Sequence, residues 1–168
     1  MKNLYIDFDG VIMDTIDISY QELKLIGLDA KNIYDQEKIR DYYVGLDWNQ
    51  MLNKKASIIN DAFDCIKKII DSGRFEVMIL SHVNSLSEAE EKIKYIRKYL
   101  KDITIIPVPR RISKTQMVHT EDAILIDDYV ENLKEWKEAG GIGIKFSTEL
   151  NGKGFVVIDR LDQILDIL

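Results

Sequence analysis

A chain of 168 residues has room for one domain with a small insertion. Its 46% hydrophobic and 31% charged residues are the composition of an ordinary globular protein, and no apolar run approaches the roughly 18 residues that a membrane span needs. A formal net charge of −6 argues against a stable nucleic-acid partner, because such binders present basic surfaces. Asp7 and Asp9 interrupt the N-terminal apolar stretch, so no signal-peptide core is expected there. The single cysteine, Cys65, lies in an apolar helical pattern and reads as a small core residue. With no intrachain disulfide possible, a reducing, cytoplasmic setting is expected.

The first element is a buried strand, Leu4-Tyr5-Ile6-Asp7-Phe8-Asp9-Gly10-Val11-Ile12, ending in two carboxylates and a glycine. From Thr15 to Ile59 no strand pattern occurs. Ile16, Tyr20, Leu23 and Ile26 recur at helical spacing, a second helix is expected near 36–44, and Asp47 can cap a third that carries Trp48, Met51 and Leu52. The remainder alternates. A helix through Phe63, Ile66 and Ile69 precedes a strand at 75–80 that ends at Ser81. A charged helix opening at Ser87 precedes a strand at 103–108, and a strand at 123–126 ends at Asp127-Asp128. A helix through Leu133 and Trp136, two short strands and a last amphipathic helix complete the chain. The pattern predicts an α/β fold: a three-layer, Rossmann-like parallel sheet with helices on both faces. The core is expected over 1–14 and 60–168, with a small helical cap over 15–59.

Polar residues follow three apolar strands, at Asp7/Asp9, at Ser81 and at Asp127/Asp128. In an open α/β sheet that edge is where ligands bind. Buried carboxylates need a partner, and a hard cation such as Mg²⁺ is the simplest one. Asp7, Asp9, Asp127 and Asp128 are therefore expected to form a four-acid metal site. Asn132, one turn on, could support them.

The run D-x-D-G-V at Asp7–Val11 resembles motif I of the haloacid dehalogenase (HAD) superfamily. Leu80-Ser81-His82 is similar to its motif II. The segment Arg110-Arg111-Ile112-Ser113-Lys114-Thr115-Gln116 offers a basic motif III residue, ranked Lys114, Arg111, Arg110. Ile126-Asp127-Asp128 is similar to motif IV. The stretch 125–146 looks most like the 5′(3′)-deoxyribonucleotidase-like branch.

The resemblance implies a Mg²⁺-dependent phosphate monoester hydrolase in which Asp7 attacks phosphorus and Asp9 is general acid and base. The metal is expected on Asp7, the backbone carbonyl of Asp9 and Asp127, with Asp128 orienting a metal-bound water; Lys114 would bridge nucleophile and phosphate, and Ser81 would hold phosphoryl oxygens. His82 and Asn84 are expected as substrate contacts. The implied substrate is a small phosphorylated molecule, a nucleoside monophosphate being favoured. Trp48, Tyr42 and Tyr43 could stack on a base or form the cap's own interior. Another phosphorylated metabolite or macromolecule, or a non-catalytic binding module, is the alternative.

Overall fold

A computed structural model describes residues 1–168. Its strands are β1 (Lys2–Ile6), β2 (Phe75–Val83), β3 (Thr104–Pro109), β4 (Ile124–Asp127), β5 (Ile142–Phe146) and β6 (Val156–Ile158). They form one sheet in the order β3-β2-β1-β4-β5-β6, and every pairing is parallel. The helices are α1 (Thr15–Leu25), α2 (Gln36–Gly45), α3 (Trp48–Gln50), α4 (Ala62–Asp71), α5 (Leu86–Arg97), α6 (Val130–Glu138) and α7 (Ile164–Ile167). α3 continues into a π-helical turn, Met51–Lys55.

Side chains on a strand alternate between faces, so each central strand serves two cores. Leu4, Ile6, Ile124 and Ile126 point into the larger one, with Phe63, Ile66 and Ile69 of α4, Tyr95 and Ile96 of α5, and Ile164 of α7. Tyr5, Leu80 and Leu125 point the other way, against Leu133 and Trp136 of α6. Trp136 donates its indole N–H to the Ala123 carbonyl at 2.9 Å, which satisfies the only polar atom of a fully buried side chain. The expected three layers are present. No helix is long and apolar enough to cross a membrane.

Between β1 and β2 the chain forms helices and no strand, apart from single bridges at Asp9–Met13 and Met13–Ile58. The outgoing and returning segments of this insertion are stitched together. Asp14 N donates to Ser57 O at 3.1 Å, Ser57 N to the Asp14 carboxylate at 2.5 Å, and Ile59 N to Ile12 O at 2.8 Å. The insertion's second half is part of the main core, because Trp48, Met51 and Leu52 belong to the larger cluster.

Three local expectations shift. β2 continues past Ser81 to Val83, because β3 pairs with it as far as Val83↔Pro109. β3 tolerates Pro107 and Pro109 because it is an edge strand, where a missing N–H breaks no ladder. α5 is capped by Ser85 rather than opened by Ser87: the Ser85 hydroxyl accepts from Glu88 N at 3.1 Å. That places Glu88 in the first turn, where a carboxylate favours the helix dipole.

Candidate active site

The carboxyl ends of β1, β2 and β4 bring the expected residues together. Asp7 directly follows β1, and its N–H donates to Ile126 O at 2.9 Å, so the β1–β4 ladder fixes its backbone. Asp127 closes β4 and is fully buried. Lys114, in a 3₁₀ turn before β4, reaches back under both. Its Nζ donates to Asp7 Oδ1 at 2.9 Å and to Asp127 Oδ2 at 2.7 Å. Of the three basic candidates only Lys114 is buried, at 2% exposure, while Arg110 and Arg111 are exposed. Burial pulls the Lys114 ammonium down, but Asp127 and Asp7 outweigh it and its proton is held above the ordinary lysine value.

Carboxylate oxygens of Asp7, Asp127 and Asp128 lie within 4.8 Å of one another. Three acids against one ammonium leave the cluster net negative by two. Burial first, and then Asp127, push the Asp7 carboxyl up to about 7, against the pull of Lys114. Burial and Asp7 likewise raise Asp128 well above the carboxylate range. Acids that resist ionising beside one another are a site short of positive charge, and an all-oxygen donor set fits a hard divalent cation.

The fourth acid, Asp9, is expected to offer a metal its backbone carbonyl oxygen, and its side chain is engaged elsewhere. Its carboxylate lies outside the cluster: Oδ1 accepts from Thr15 Oγ1 at 2.6 Å, and Oδ2 is ion-paired to Lys92 at 2.5 Å. Asp127 and Asp128 also differ in how far they are committed. Asp127 accepts from Lys114, from Asn132 Nδ2 at 3.0 Å and from Tyr129 N at 2.9 Å. Asp128 carries no such set, and its carboxylate lies against the Gly10 backbone. A Cβ built on Gly10 would sit 2.2 Å from Asp128 Oδ2. Gly10 also holds φ +78°, a conformation other residues adopt only with strain.

Ser81 is buried, and its hydroxyl donates to His82 O at 3.3 Å. The His82 ring is occupied elsewhere: its Nε2 lies 2.9 Å from Ile112 O, tying β2 to the loop that carries Lys114. Burial lowers the His82 pKa, which favours the neutral ring. Asn84 donates its backbone N–H and its side-chain amide to Glu88 Oε1, at 2.9 and 3.0 Å. Both residues therefore brace the site's frame in this structure.

Trp48 is 4% exposed and packs into the main core, with its ring centroid 4.7 Å from Lys92 Nζ. A ring so enclosed presents no face to a base, which corrects the stacking expectation. Tyr42 and Tyr43 bond across to α1 through Glu22 and Ser19, so they form the insertion's own interior. The residue that sequence reasoning missed is Lys92. It sits in a helix so rich in charge that one more lysine stands out by nothing except its place between the buried positions Ala89 and Ile96.

No family model and no curated protein matches the chain. Solved structures do share its fold over nearly full length. A HAD-superfamily hydrolase from Ehrlichia chaffeensis is 15% identical, with 99% of this chain and 97% of that chain covered and a TM-score of 0.58. A family IA, variant 3 HAD hydrolase from Entamoeba histolytica is 13% identical, covering 97% and 95%, with a TM-score of 0.65. A phosphonoacetaldehyde hydrolase-like protein from Oleispira antarctica is 12% identical, covering 99% and 90%, also at 0.65. The fold is that of HAD-superfamily hydrolases.

Two predictions follow from this geometry. Gly10→Ala should displace the Asp128 carboxylate and weaken Mn²⁺ binding at least tenfold by calorimetric titration, with the far-ultraviolet spectrum unchanged. Asp7→Asn should stabilise the cation-free protein. The folded Asp7 carboxyl holds its proton up to about 7 against an ordinary 3.8, so its stabilising effect is complete below pH 4 and lost as pH rises to 7. In chelator, the melting temperature of Asp7→Asn minus that of wild type should therefore grow between pH 4 and 7 and then level off. The plateau should be at least the roughly 2–4 °C that 1 kcal/mol produces in a chain of this size.

Proposed function

We propose that the protein is a divalent-cation-dependent phosphate monoester hydrolase working through an aspartyl-phosphate on Asp7. The observation that carries this is the cluster of Asp7, Asp127 and Asp128 around a single buried ammonium at the sheet's carboxyl edge. Mg²⁺, the fitting cation, would be held by Asp7 and Asp128 and, when bound, supplies positive charge to the phosphoryl oxygens. Asp127 would keep Lys114 in place rather than serve as the principal ligand, since Lys114, Asn132 and the Tyr129 N–H already use its oxygens.

The chain's own residues then have defined tasks. An Asp7 oxygen forms a bond to phosphorus while the P–O ester bond breaks. The leaving alkoxide takes its proton from Asp9. Lys114 offsets the repulsion between the Asp7 carboxylate and the incoming phosphate. The Ser81 hydroxyl turns to a phosphoryl oxygen. Water then attacks the acyl phosphate, giving a proton back to Asp9 and releasing inorganic phosphate and the Asp7 carboxylate. Segment 15–59 would act as the cap, and the protein would be cytoplasmic.

A small phosphorylated molecule is the substrate class, and a nucleoside monophosphate is the favoured member. A cleft of about 550 Å³ lies where β2 and β3 end, walled by Val44, Asn84, Pro107 and Pro109. None of Asp7, Asp9, Ser81, Lys114, Asp127 and Asp128 lines this cleft, so it would take only a part of the substrate remote from the scissile phosphate. Arg40, Arg110 and Arg111 line the same cleft, and none takes part in an ion pair. They favour a second reading, a metabolite with a further anionic group beyond the scissile phosphate.

Turnover of a phosphate-ester panel should vanish in EDTA, return with Mg²⁺, and respond poorly to Ca²⁺, whose looser coordination disturbs the in-line geometry. Asp7→Asn should lose at least about 10³-fold, the scale of removing a nucleophile. Nucleoside monophosphates outrunning sugar phosphates would support the nucleotidase reading, and bisphosphates or phosphorylated carboxylates leading would support the second. Full activity in excess chelator, or in Asp7→Asn, would rule the mechanism out.

A further inference from the structure

Lys92 is 2% exposed, and its surroundings are divided between apolar rings and site groups. Its Nζ lies 4.7 Å from the Trp48 ring centroid and 5.4 Å from that of Phe8. On its polar side it is 2.5 Å from Asp9 Oδ2, 2.5 Å from Glu88 Oε2, 3.2 Å from His82 O and 3.3 Å from Ser81 Oγ. Burial alone would pull its proton off, yet Asp9 and Glu88 outweigh that and hold the ammonium charged. A charge placed this deep is costly unless fully partnered. Two of the four partners, Asp9 and Ser81, belong to the proposed reaction.

Glu88 explains how the charge is tolerated. It is fully buried, and its other oxygen accepts twice from Asn84. It neutralises Lys92 locally, which leaves the lysine free to hold Asp9 by a directed, charge-assisted hydrogen bond. Asp9 Oδ1 is meanwhile fixed by Thr15 Oγ1 at 2.6 Å. Both oxygens of one carboxylate are thus clamped, one from α5 and one from the first residue of α1. Lys114 has no part in this, since its contacts are Asp7 and Asp127.

We propose that Lys92 is a positioning residue for the acid/base carboxylate. It aims Asp9 for proton transfer, while Ser81 Oγ and His82 O anchor the ammonium itself at the end of β2. This rests on the phosphatase reading. The two lysines divide the labour: Lys114 serves the nucleophile, Lys92 the acid/base.

The division can be read with p-nitrophenyl phosphate. Its leaving group departs as p-nitrophenolate with the P–O electron pair and needs no proton, so phosphorylation of Asp7 bypasses Asp9. Hydrolysis of the acyl phosphate still needs Asp9 to take the proton from water. Lys92→Met should therefore give a rapid burst of about one equivalent of p-nitrophenolate, then a steady state slowed about 10- to 100-fold, with KM not raised. Lys92→Ala should regain steady-state rate with added methylammonium and not with tetramethylammonium, which donates no hydrogen bond. Wild-type-like turnover in a folded Lys92→Met protein, or burst and steady state slowed alike with no amine rescue, would overturn the assignment. Failure of both variants to fold, by circular dichroism, would make Lys92 a scaffold residue and overturn it too. A wild-type protein that releases no p-nitrophenolate would instead fail the phosphatase reading itself, and this inference with it.

Discussion

Too many carboxylates share too little space at one edge of this sheet. Asp7, Asp127 and Asp128 converge within 4.8 Å, and protein alone supplies one ammonium to them, Lys114. The arrangement follows from topology. β1 and β4 are parallel neighbours, so an acid directly after β1 and an acid at the end of β4 are placed side by side at the same edge. Only the surrounding scaffold can hold like charges there, and two well-filled cores provide it. The same crowding leaves the edge electrostatically incomplete, and in the proposed reaction a divalent cation would offset the excess of negative charge.

A second charged system lies beside the first without merging with it. Asp9, Lys92 and Glu88 form a chain of buried ion pairs on the β2 side of β1, and Asp7, Lys114 and Asp127 form one on the β4 side. Two carboxylates only two residues apart in sequence thus live in different electrostatic surroundings. In the proposed reaction such a separation lets one act as nucleophile while its neighbour handles protons. Ser81, within 3.3 Å of Lys92, stands where β2 meets both α5 and the site.

The fold was legible because its signals were repetitive. Strands of continuous apolar residues alternated with amphipathic helices, and acids or serine stood at the strand ends. The cluster was legible for the same reason, with Asp7, Lys114, Asp127 and Asp128 all falling at the carboxyl edge. Side-chain direction was not legible. Nothing in the spacing of Asp7 and Asp9 says that one carboxylate turns toward Asp128 and the other toward α5. Trp48 directly follows the helix cap Asp47, and that position by itself is compatible with a ring facing either a substrate or the interior. Its burial comes from α3 packing on α5, a contact between segments 40 residues apart in numbering that local pattern does not encode. Lys92 was invisible because a buried lysine on a charged helix reads as one more solvated residue.

The sheet order also bears on how the molecule comes into being. β1, the earliest strand of this chain to be synthesised, lies in the middle of the sheet, between β2 and β4. Its register partners begin at Phe75 on one side and at Ile124 on the other. A growing chain therefore carries Asp7 and Asp9 through most of its synthesis with no strand to flank them on the β4 side. Contacts across so many residues are slow to close, because the entropy of the intervening loop is lost before they form. The carboxylate edge of Asp7, Asp127 and Asp128 can assemble only once residues near 128 have emerged.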